Sequence, residues 1–493
     1  MKSYLKINPN DNVAVAVKGL EKNLGIEDFA LSLNEDIKRG HKFAIKDIKK
    51  GEDIIKYGMP IGHALEDIKK GSWVHVHNLK TNLSDIIEYD YDKKDVDLAD
   101  DLIDENLSFE GYLREDGRAG IRNEIWVIPG VGCINQTCNN LVKMASKKYP
   151  DVTFQAITHT HGCSQLGDDL EMTREILAGL IKNPNAGGVL VVSLGCENNM
   201  VDEFKEYIKP YNEKRVKFFT AQEVEDEYET GLSLIDELVE YRNSFKKEAL
   251  PISKLTVGFK CGGSDGFSGI TANPLCGYSS DKLVKNGATT MLTEVPEMFG
   301  AEKLLMNRAK DEKTFGDIVS MVNNFKEYFK SHGQNIYENP SPGNKDGGIS
   351  TLEDKSLGCI QKGGSSEVAN VLALGEQSKV SGLNLLNGPG NDQVSCTNLA
   401  ASGCTLIVFT TGRGNPFGSI VPTVKMSTNT ELAEKKSNWI DFDAGRLISQ
   451  GLSFENLRDE FIDYLVEVAS GKETNNEKYD FREISIFKDG VTL

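Results

Sequence analysis

The sequence predicts an α/β protein built from a small N-terminal β domain, an acidic linker, and a parallel-sheet α/β region in two parts. Three observations support this prediction: a short turn phrase repeats near the N-terminus, acidic residues concentrate in one segment, and short apolar runs then alternate with amphipathic stretches. The 493 residues are also too many for one domain of typical size. The predicted boundaries are 1–84 for the β domain, 85–110 for the linker, 111–250 for the middle domain and 251–493 for the C-terminal domain.

The N-terminal domain is predicted from a phrase of the form Asp-Ile-Lys-Arg/Lys-Gly, which ends at Gly40, Gly51 and Gly71. Glycine after a polar tetrad supplies the positive φ of a turn, and the alternating apolar residues that follow indicate a short strand. The last of these strands is predicted to carry His75 and His77. Since alternate residues of a strand point the same way, both imidazoles are expected on one face.

The linker is predicted from its charge. Residues 85–110 contain eleven acidic residues and two lysines, a net charge of −9. Self-repulsion and a scarcity of large apolar side chains make this segment a poor domain core, so we expect a linker with at most one short helix.

The region after the linker is predicted to form parallel strands alternating with helices. Short apolar runs separated by longer amphipathic segments are typical of parallel sheets covered on both faces. The clearest helix is expected over 223–245, and the break between the two halves near Pro251. The predicted strands are 125–129, 154–158, 188–194, 216–220, 255–259, 289–293 and 406–411.

Composition excludes several classes of function. Lys+Arg 56 against Asp+Glu 74 leaves a net charge of −18, which repels nucleic acid and anionic membranes. No apolar run approaches the length that spans a bilayer, and the N-terminus has no signal-peptide pattern. Nine cysteines with no secretory signal indicate reduced thiols. We therefore expect a cytoplasmic protein that binds neither nucleic acid nor membrane.

Polar and sulfur residues follow the predicted strand ends. In open α/β sheets ligands bind at the carboxyl ends of the strands, so these residues are expected to converge on one crevice. Any single cysteine has the alternative of being inert core, and no CxxC or zinc-finger spacing occurs. A dinucleotide fingerprint is also missing, which disfavours an NAD-dependent dehydrogenase and indicates no NAD. The residues concerned are Cys133, His159, His161, Cys163, Cys196, Cys261, Ser264, Asp265, Glu294, Glu297 and Arg413.

Longer phrases carry a resemblance to a known family. They are Trp73–Asn78, Gly111–Gly117, Gly120–Asn123, Cys163–Gly167, Leu194–Asn198, Cys261–Gly266, Asn339–Asn344, Thr351–Cys359 and Thr410–Gly414. Together they resemble the altronate/galactarate dehydratase family over nearly the whole chain.

This resemblance implies an N-terminal SAF (β-clip) domain, a middle domain used in dimerisation, and a C-terminal Rossmann-like domain with a metal site that holds iron. It implies a hydro-lyase that converts D-altronate to 2-keto-3-deoxy-D-gluconate and water in hexuronate (galacturonate) catabolism. Galactarate dehydratase and sulfolactate sulfo-lyase are the alternatives within the same architecture. A small anionic sugar acid is the expected substrate, and a homodimer the expected assembly.

Dehydration of a sugar acid requires removal of a weakly acidic α-proton and loss of a β-hydroxyl, which a metal, a base and an acid together assist. The cofactor expected is Fe(II), with Mn(II) or an iron–sulfur cluster as alternatives. We expect the N-terminal domain to close over the site, against the alternative that its histidines only occupy a surface. The predicted catalytic residues are His75, His77, His161 and Arg413; the substrate-binding residues are Ser264, Asp265, Asn391 and Asp392; the metal ligands are Cys163, Cys196, Cys261 and Cys359.

Overall fold

The computed structural model describes residues 3–83 and 86–490. The first part is a β domain of short antiparallel strands, which confirms the predicted β-domain character. Gly40, Gly51 and Gly71 have φ values of 80°, 82° and 88°, the positive φ that the repeated phrase predicts. The strands are β1 Tyr4–Leu5, β2 Val13–Ala16, β3 Gly25–Ile26, β4 Leu31–Ser32, β5 Lys42–Ala44, β6 Asp53–Lys56, β7 Met59–Ala64, β8 Trp73–Val74 and β9 Leu79–Lys80.

These strands form two small sheets and a hairpin. One sheet has the order β1-β2-β5-β8, the other has the order β6-β7-β9, and β3 pairs with β4. The acidic segment that follows runs along the C-terminal domain with a single 3₁₀ turn at Asp100–Leu102. Its Tyr91 Oη donates to the Ala309 carbonyl at 2.6 Å, and the Lys94 amide donates to the Asn307 carbonyl at 2.7 Å. The segment is therefore fixed along a protein surface by hydrogen bonds.

The middle region contains a small antiparallel sheet and a parallel one. The helix Glu227–Asn243 starts where the Asp226 side chain accepts hydrogen bonds from the amides of Tyr228 and Glu229. The strands are β10 Ser108–Leu113, β11 Ala119–Gly120, β12 Glu124–Pro129, β13 Phe154–Ala156, β14 Ala186–Ser193, β15 Val216–Thr220 and β16 Glu248–Pro251; the helices are α1 Asn135–Lys148, α2 Gly167–Lys182, α3 Val201–Ile208 and α4 Glu227–Asn243. Strands β11-β10-β16 form the antiparallel sheet, and β13-β12-β14-β15 form the parallel sheet.

The C-terminal region is built on a seven-stranded parallel sheet with the order β19-β20-β18-β17-β21-β22-β23. The chain crosses from β17 to one side and later returns to the other, so β17 lies at a topological switch point. The strands are β17 Thr256–Cys261, β18 Thr289–Leu292, β19 Val368–Leu372, β20 Gly382–Leu386, β21 Leu406–Thr411, β22 Thr423–Ser427 and β23 Phe442–Asp443; the helices are α5 Ala272–Lys285, α6 Glu302–Met306, α7 Glu312–Ser331, α8 Pro342–Asp346, α9 Leu352–Cys359, α10 Asp392–Ala401, α11 Thr430–Lys435, α12 Arg446–Ser449, α13 Phe454–Ala469 and α14 Asn475–Lys478.

Four strands of this sheet do not appear among the predicted ones: β19, β20, β22 and β23. Buried polar residues interrupt the apolar pattern in two of them. Asn384 in β20 donates to the carbonyls of Val380 and Gly382, and Lys425 in β22 donates to the carbonyl of Asn415 at 2.9 Å. These side chains find partners only in the folded chain, so hydrophobicity alone does not mark the strands.

The three parts pack against one another. In one shared core, Ile176 of α2 packs in the same apolar cluster as Leu399 of α10. The N-terminal domain docks on α9 through a buried ion triad: Asp354 receives Lys42 Nζ at 2.8 Å and Lys56 Nζ at 2.9 Å. Among the described residues, no helix has both the length and the apolar character needed to cross a bilayer.

Candidate active site

Two cysteines and a glutamate meet at the carboxyl edge of the large sheet. Cys261 is the last residue of β17, Glu297 follows β18 in a 3₁₀ turn, and Cys359 ends α9. The Sγ atoms of Cys261 and Cys359 lie 3.4 Å apart, and Glu297 Oε2 lies 3.4 Å from the first and 3.0 Å from the second. All three side chains are buried. The structure therefore places two soft sulfur donors and one oxygen donor around a single point.

Three buried lysines surround this group. Lys362 Nζ lies 3.0 Å from Cys261 Sγ and 3.0 Å from Glu294 Oε2, while Lys260 Nζ also donates to Glu294. Lys355 Nζ donates to Glu297 Oε1 at 2.8 Å. Three ammonium groups thus face the carboxylates of Glu294 and Glu297, and a third carboxylate, that of Asp392, lies 3.1 Å from Lys260.

The pKa values follow from this pairing. Burial disfavours the charged form of Lys260 and Lys362, but the facing carboxylates and thiols outweigh it and hold both pKa values well above the ordinary one. Burial would raise the pKa of Glu297, yet Lys355 and the other lysines lower it far below its usual range. Hydrogen bonding to Cys261 and burial raise the pKa of the Cys359 thiol.

A cavity of about 750 Å³ opens over this centre. Its floor includes Cys261, Glu297 and Lys355, and polar residues of the 339–344 loop form one side. Lys355 Nζ also contacts Asn339 Oδ1 at 3.0 Å, so this lysine lies between the buried group and the open space. The lining also includes four aromatic side chains, those of Phe325, Tyr328, Phe329 and Phe487. The cavity is large enough for a six-carbon acid, and its lining includes the cations Lys355 and Arg413.

The four predicted substrate-binding residues have different positions in the structure, and only Asp392 lines the cavity. Asp392 lines the cavity and pairs with Lys260 at 3.1 Å, whereas the Asn391 side chain accepts from the Val394 amide and caps α10. Ser264 Oγ is buried and has no hydrogen-bond partner. Asp265 accepts hydrogen bonds from Thr428 and from the Phe267 amide, and so holds its own loop.

Arg413 borders the main cavity and a neighbouring one of about 310 Å³ that also includes Asp265. Its Nη1 pairs with Asp346 Oδ2 at 3.0 Å, and His41 Nε2 lies 3.1 Å from the Asp346 carbonyl oxygen. His41 belongs to the N-terminal domain. Asp346 lines the neighbouring cavity, so the N-terminal domain reaches the edge of that cavity through His41, which is not among the predicted site residues.

The prediction that His75 and His77 share a strand face is wrong. Strand β8 ends at Val74, because the Asn78 side chain accepts from the His75 amide and donates to the Trp73 carbonyl, closing a turn. Both rings nevertheless pack on Trp73, with centroids 5.2 Å and 4.9 Å away. His75 is buried, and burial together with the nearby Lys42 lowers its pKa to about 3. His77 is exposed.

The four predicted cysteine ligands do not meet in one cluster. Cys261 and Cys359 do meet, but Cys163 and Cys196 are exposed in loops after β13 and β14 of the smaller sheet. Two sheets have two carboxyl edges, and strand ends alone do not show which edge a loop joins. His161 lies beside Cys163 in the same loop, with its Nδ1 3.2 Å from Gln165 Nε2.

Three lysines that the sequence does not predict, Lys260, Lys355 and Lys362, complete the centre. Glu294 and Glu297 are among the strand-end residues expected at the crevice, although no role is predicted for them. The sequence contains one signal for these lysines. Lys260 interrupts an apolar strand, and a lysine in such a position requires a buried partner. Lys355 and Lys362 lie in and after α9 with no such pattern, and only packing reveals them.

Comparison with known proteins now decides the family. The chain is 52% identical to an altronate dehydratase of Bacillus subtilis (strain 168), over all of both chains. It is 51% identical to an altronate dehydratase of Escherichia coli (strain K12), over 99% of this chain and all of the relative.

The chain belongs to the altronate/galactarate dehydratase family. Residues 2–82 match the altronate/galactarate dehydratase SAF domain, and residues 111–243 match the second domain of D-galactarate dehydratase/altronate hydrolase. Residues 252–492 match the C-terminal domain of D-galactarate/altronate dehydratase. A galactarate dehydratase (L-threo-forming) of Escherichia coli (strain K12) is 33% identical over 95% of this chain and 93% of its own length. The resemblance carried by the sequence phrases is confirmed.

Proposed function

We propose that this member of the altronate/galactarate dehydratase family is a metal-dependent hydro-lyase that converts D-altronate to 2-keto-3-deoxy-D-gluconate and water, in galacturonate catabolism. The observation that carries the proposal is the identity of 52% and 51% to two altronate dehydratases over full length, against 33% to a galactarate dehydratase. The same comparison favours a dehydratase over an NAD-dependent dehydrogenase.

We assign binding of the substrate carboxylate to the cationic side chains at the cavity. Lys355 is the ammonium between the buried centre and the open space, and Arg413 lies at the rim. Burial strengthens such contacts because little water competes with them. We assign substrate hydroxyls to Asp392, which lines the cavity, and to the unpartnered Oγ of Ser264, which is buried next to the lining residue Gly263. Asp265 and Asn391 support their loops.

Cys261, Glu297 and Cys359 fit an iron site. Their donor atoms lie 3.0 to 3.4 Å apart, and two sulfurs with one carboxylate oxygen suit Fe(II) better than Mn(II), which prefers oxygen ligands. When bound, iron supplies Lewis-acid stabilisation of the negative charge that develops as the α-proton leaves. The Cys359 thiol must lose its proton to become a ligand, so metal binding is expected to weaken at low pH.

Proton transfer requires a group that titrates near neutral pH. The lowered pKa of His75 makes it a weak base, so of the two histidines on Trp73 we assign proton transfer to the exposed His77. His161 is the candidate from the middle domain. Burial lowers its pKa, and the positive charge of Lys488 adds to the effect.

Two further proposals concern the setting of the enzyme. We propose a homodimer formed through the middle domain, which exposes the apolar side chains of Met144, Leu166 and Met200. We propose a cytoplasmic location, because all nine cysteines are free, as expected of a reducing compartment.

The test is a panel of hexonates and hexarates incubated with the Fe(II)-loaded enzyme under reducing conditions, scored by formation of keto-deoxy acid. We expect turnover of D-altronate, loss of turnover with a chelator, and no change in nicotinamide absorbance. Glu297→Gln is the matched variant, since it keeps the shape of the side chain and removes its charge. Turnover of galactarate or sulfolactate but not altronate would overturn the substrate assignment.

A further inference from the structure

We propose that Cys133, Cys163 and Cys196 form a second metal site, which holds an iron–sulfur cluster of the [4Fe–4S] type. Each of these cysteines follows a glycine in the loop after a strand: Gly132 after β12, Gly162 after β13 and Gly195 after β14. The three strands are neighbours in the order β13-β12-β14. Three adjacent parallel strands therefore deliver the same dipeptide to one carboxyl edge.

The three loops are bonded to one another in every pairwise combination. The Gly132 amide donates to the His161 carbonyl at 2.9 Å, and the Asn199 amide donates to the Gly162 carbonyl at 3.0 Å. Asn199 Nδ2 donates to the Gly130 carbonyl at 3.0 Å, which joins the first loop to the third. These bonds fix the backbone within a few residues of each cysteine, so the three thiols share one rigid scaffold.

Glycine is required where these loops approach. A Cβ at Gly162 would lie 2.2 Å from the Gly130 carbonyl oxygen, and a Cβ at Gly132 would lie 2.9 Å from the His159 carbonyl oxygen. A side chain at either position would push the loops apart. The Gly-Cys pattern thus combines close backbone packing with a thiol at the next residue.

Exposure separates these cysteines from the other six. Cys133, Cys163 and Cys196 are exposed, whereas the remaining cysteines are buried. Free cysteine is among the residues most often buried, and an exposed thiol carries a risk of oxidation. Three exposed thiols on one scaffold are explained if they bind a ligand that covers them.

We assign a cluster instead of a single ion to these three thiols. The three sulfurs do not all lie within 4.8 Å of one another, as Cys261, Glu297 and Cys359 do in the described part of the chain. An iron–sulfur cluster holds its thiolate ligands farther apart, because each thiolate binds a different iron. Gln222 Nε2 donates to Cys196 Sγ at 3.7 Å, a contact that also stabilises a cluster thiolate.

Three protein thiolates would leave one iron of the cluster open to a ligand from solution. The C-terminal segment connects this edge to the main cavity: Phe487 lines the cavity, and the amides of Asp489 and Gly490 donate to Asp169 in α2 at 2.8 Å each. Helix α2 begins shortly after Cys163. This segment therefore contacts both the main cavity and the helix that follows the Cys163 loop.

The experiment uses the full chain, purified without oxygen and reconstituted with ferrous iron and sulfide. We expect about four iron and four sulfide ions per chain beyond any single iron at the buried centre, and an electron paramagnetic resonance signal on reduction. Cys133→Ser, Cys163→Ser and Cys196→Ser should each lose the sulfide and the signal. Cys138→Ser, a buried cysteine of α1, should retain both.

Cys261→Ser separates this site from the proposed active site, since it should lose the single iron and keep the sulfide. Circular dichroism and melting temperature verify that each variant folds, and Cys→Ala versions replace any serine variant that does not. Wild-type protein that binds no sulfide, iron bound without sulfide, or sulfide retained by the Cys163 variants would each overturn the proposal.

Discussion

The carboxyl edges of the two parallel sheets both carry cysteines, but different kinds of side chain contact the sulfur atoms at each edge. At the large sheet, Cys261 contacts Lys362 and Glu297 inside a buried group of five charged side chains. At the smaller sheet, the thiols are exposed; Cys196 Sγ accepts from Gln222 Nε2 at 3.7 Å, and Cys163 Sγ lies 4.0 Å from Ser164 Oγ. The same topological position therefore gives sulfur buried, charged partners at one edge and exposed, neutral partners at the other.

The largest expected effect is a difference in stability between two isosteric variants, Glu294→Gln at the large sheet and Glu197→Gln at the smaller one. Glu294→Gln removes the carboxylate that pairs with Lys260 and Lys362, leaving two buried ammonium ions short of a partner. We expect a loss of about 3–5 kcal/mol in the free energy of unfolding, measured by urea denaturation. Glu197→Gln removes a carboxylate that accepts from the Leu194 and Gly195 amides and should cost about 1–2 kcal/mol.

Equal losses at these two positions would contradict the comparison. Such a result would show that the buried lysines shed their protons when Glu294 is neutral. The pKa of Lys260 would then have to fall below its ordinary value in the variant, which titration of the variant's stability between pH 7 and pH 10 would reveal.

The second prediction concerns the cation that faces the cavity. Lys355→Met should lower kcat/KM about 100-fold, because it removes a charge placed for the substrate carboxylate and leaves Glu297 without its 2.8 Å partner. Steady-state kinetics with D-altronate measure the effect. Lys345→Met, on the short helix α8 of the same loop region, is the matched control and should stay near wild type. A Lys355→Met enzyme with unchanged kcat/KM would remove this lysine from the site.

The smallest expected effect is a loss of stability at low pH, caused by His159 at the edge of the smaller sheet. Burial lowers the pKa of His159 to about 4, with its Nε2 bonded to the Pro129 carbonyl and its Nδ1 accepting from the His161 amide. The unfolded chain, with a histidine pKa near 6.5, binds more protons between these two values, so stability falls as pH falls. One such group predicts a loss of about 2 kcal/mol between pH 7 and pH 5.

Urea denaturation at several pH values measures this loss in wild type and in His159→Gln. Glutamine can still donate to the Pro129 carbonyl but cannot take up a proton, so the variant should lose less stability over the same range. An identical pH dependence in the two proteins would assign the acid sensitivity to other groups.

Much of the fold follows from local sequence. Each predicted strand overlaps an observed one, because buried parallel strands are short apolar runs and turns mark their ends. The three Gly-terminated phrases predict turns that the structure contains, since only the backbone of glycine adopts a positive φ without cost. Long family phrases add the overall architecture and the chemistry of sugar-acid dehydration.

The composition of the site, unlike the fold, does not follow from local sequence, because it depends on which loops meet. From the sequence alone, Cys163, Cys196, Cys261 and Cys359 are four equivalent cysteines in glycine-rich loops. The tertiary structure assigns two of them to one sheet edge and two to the other, and it adds the lysines of α9 and of the turn after it to the first. It also ends β8 at Val74, which turns His75 inward. Local sequence determines strands, turns and residue chemistry through short-range forces. Burial, charge pairing and the meeting of distant loops are long-range consequences of packing, and packing alone decided them.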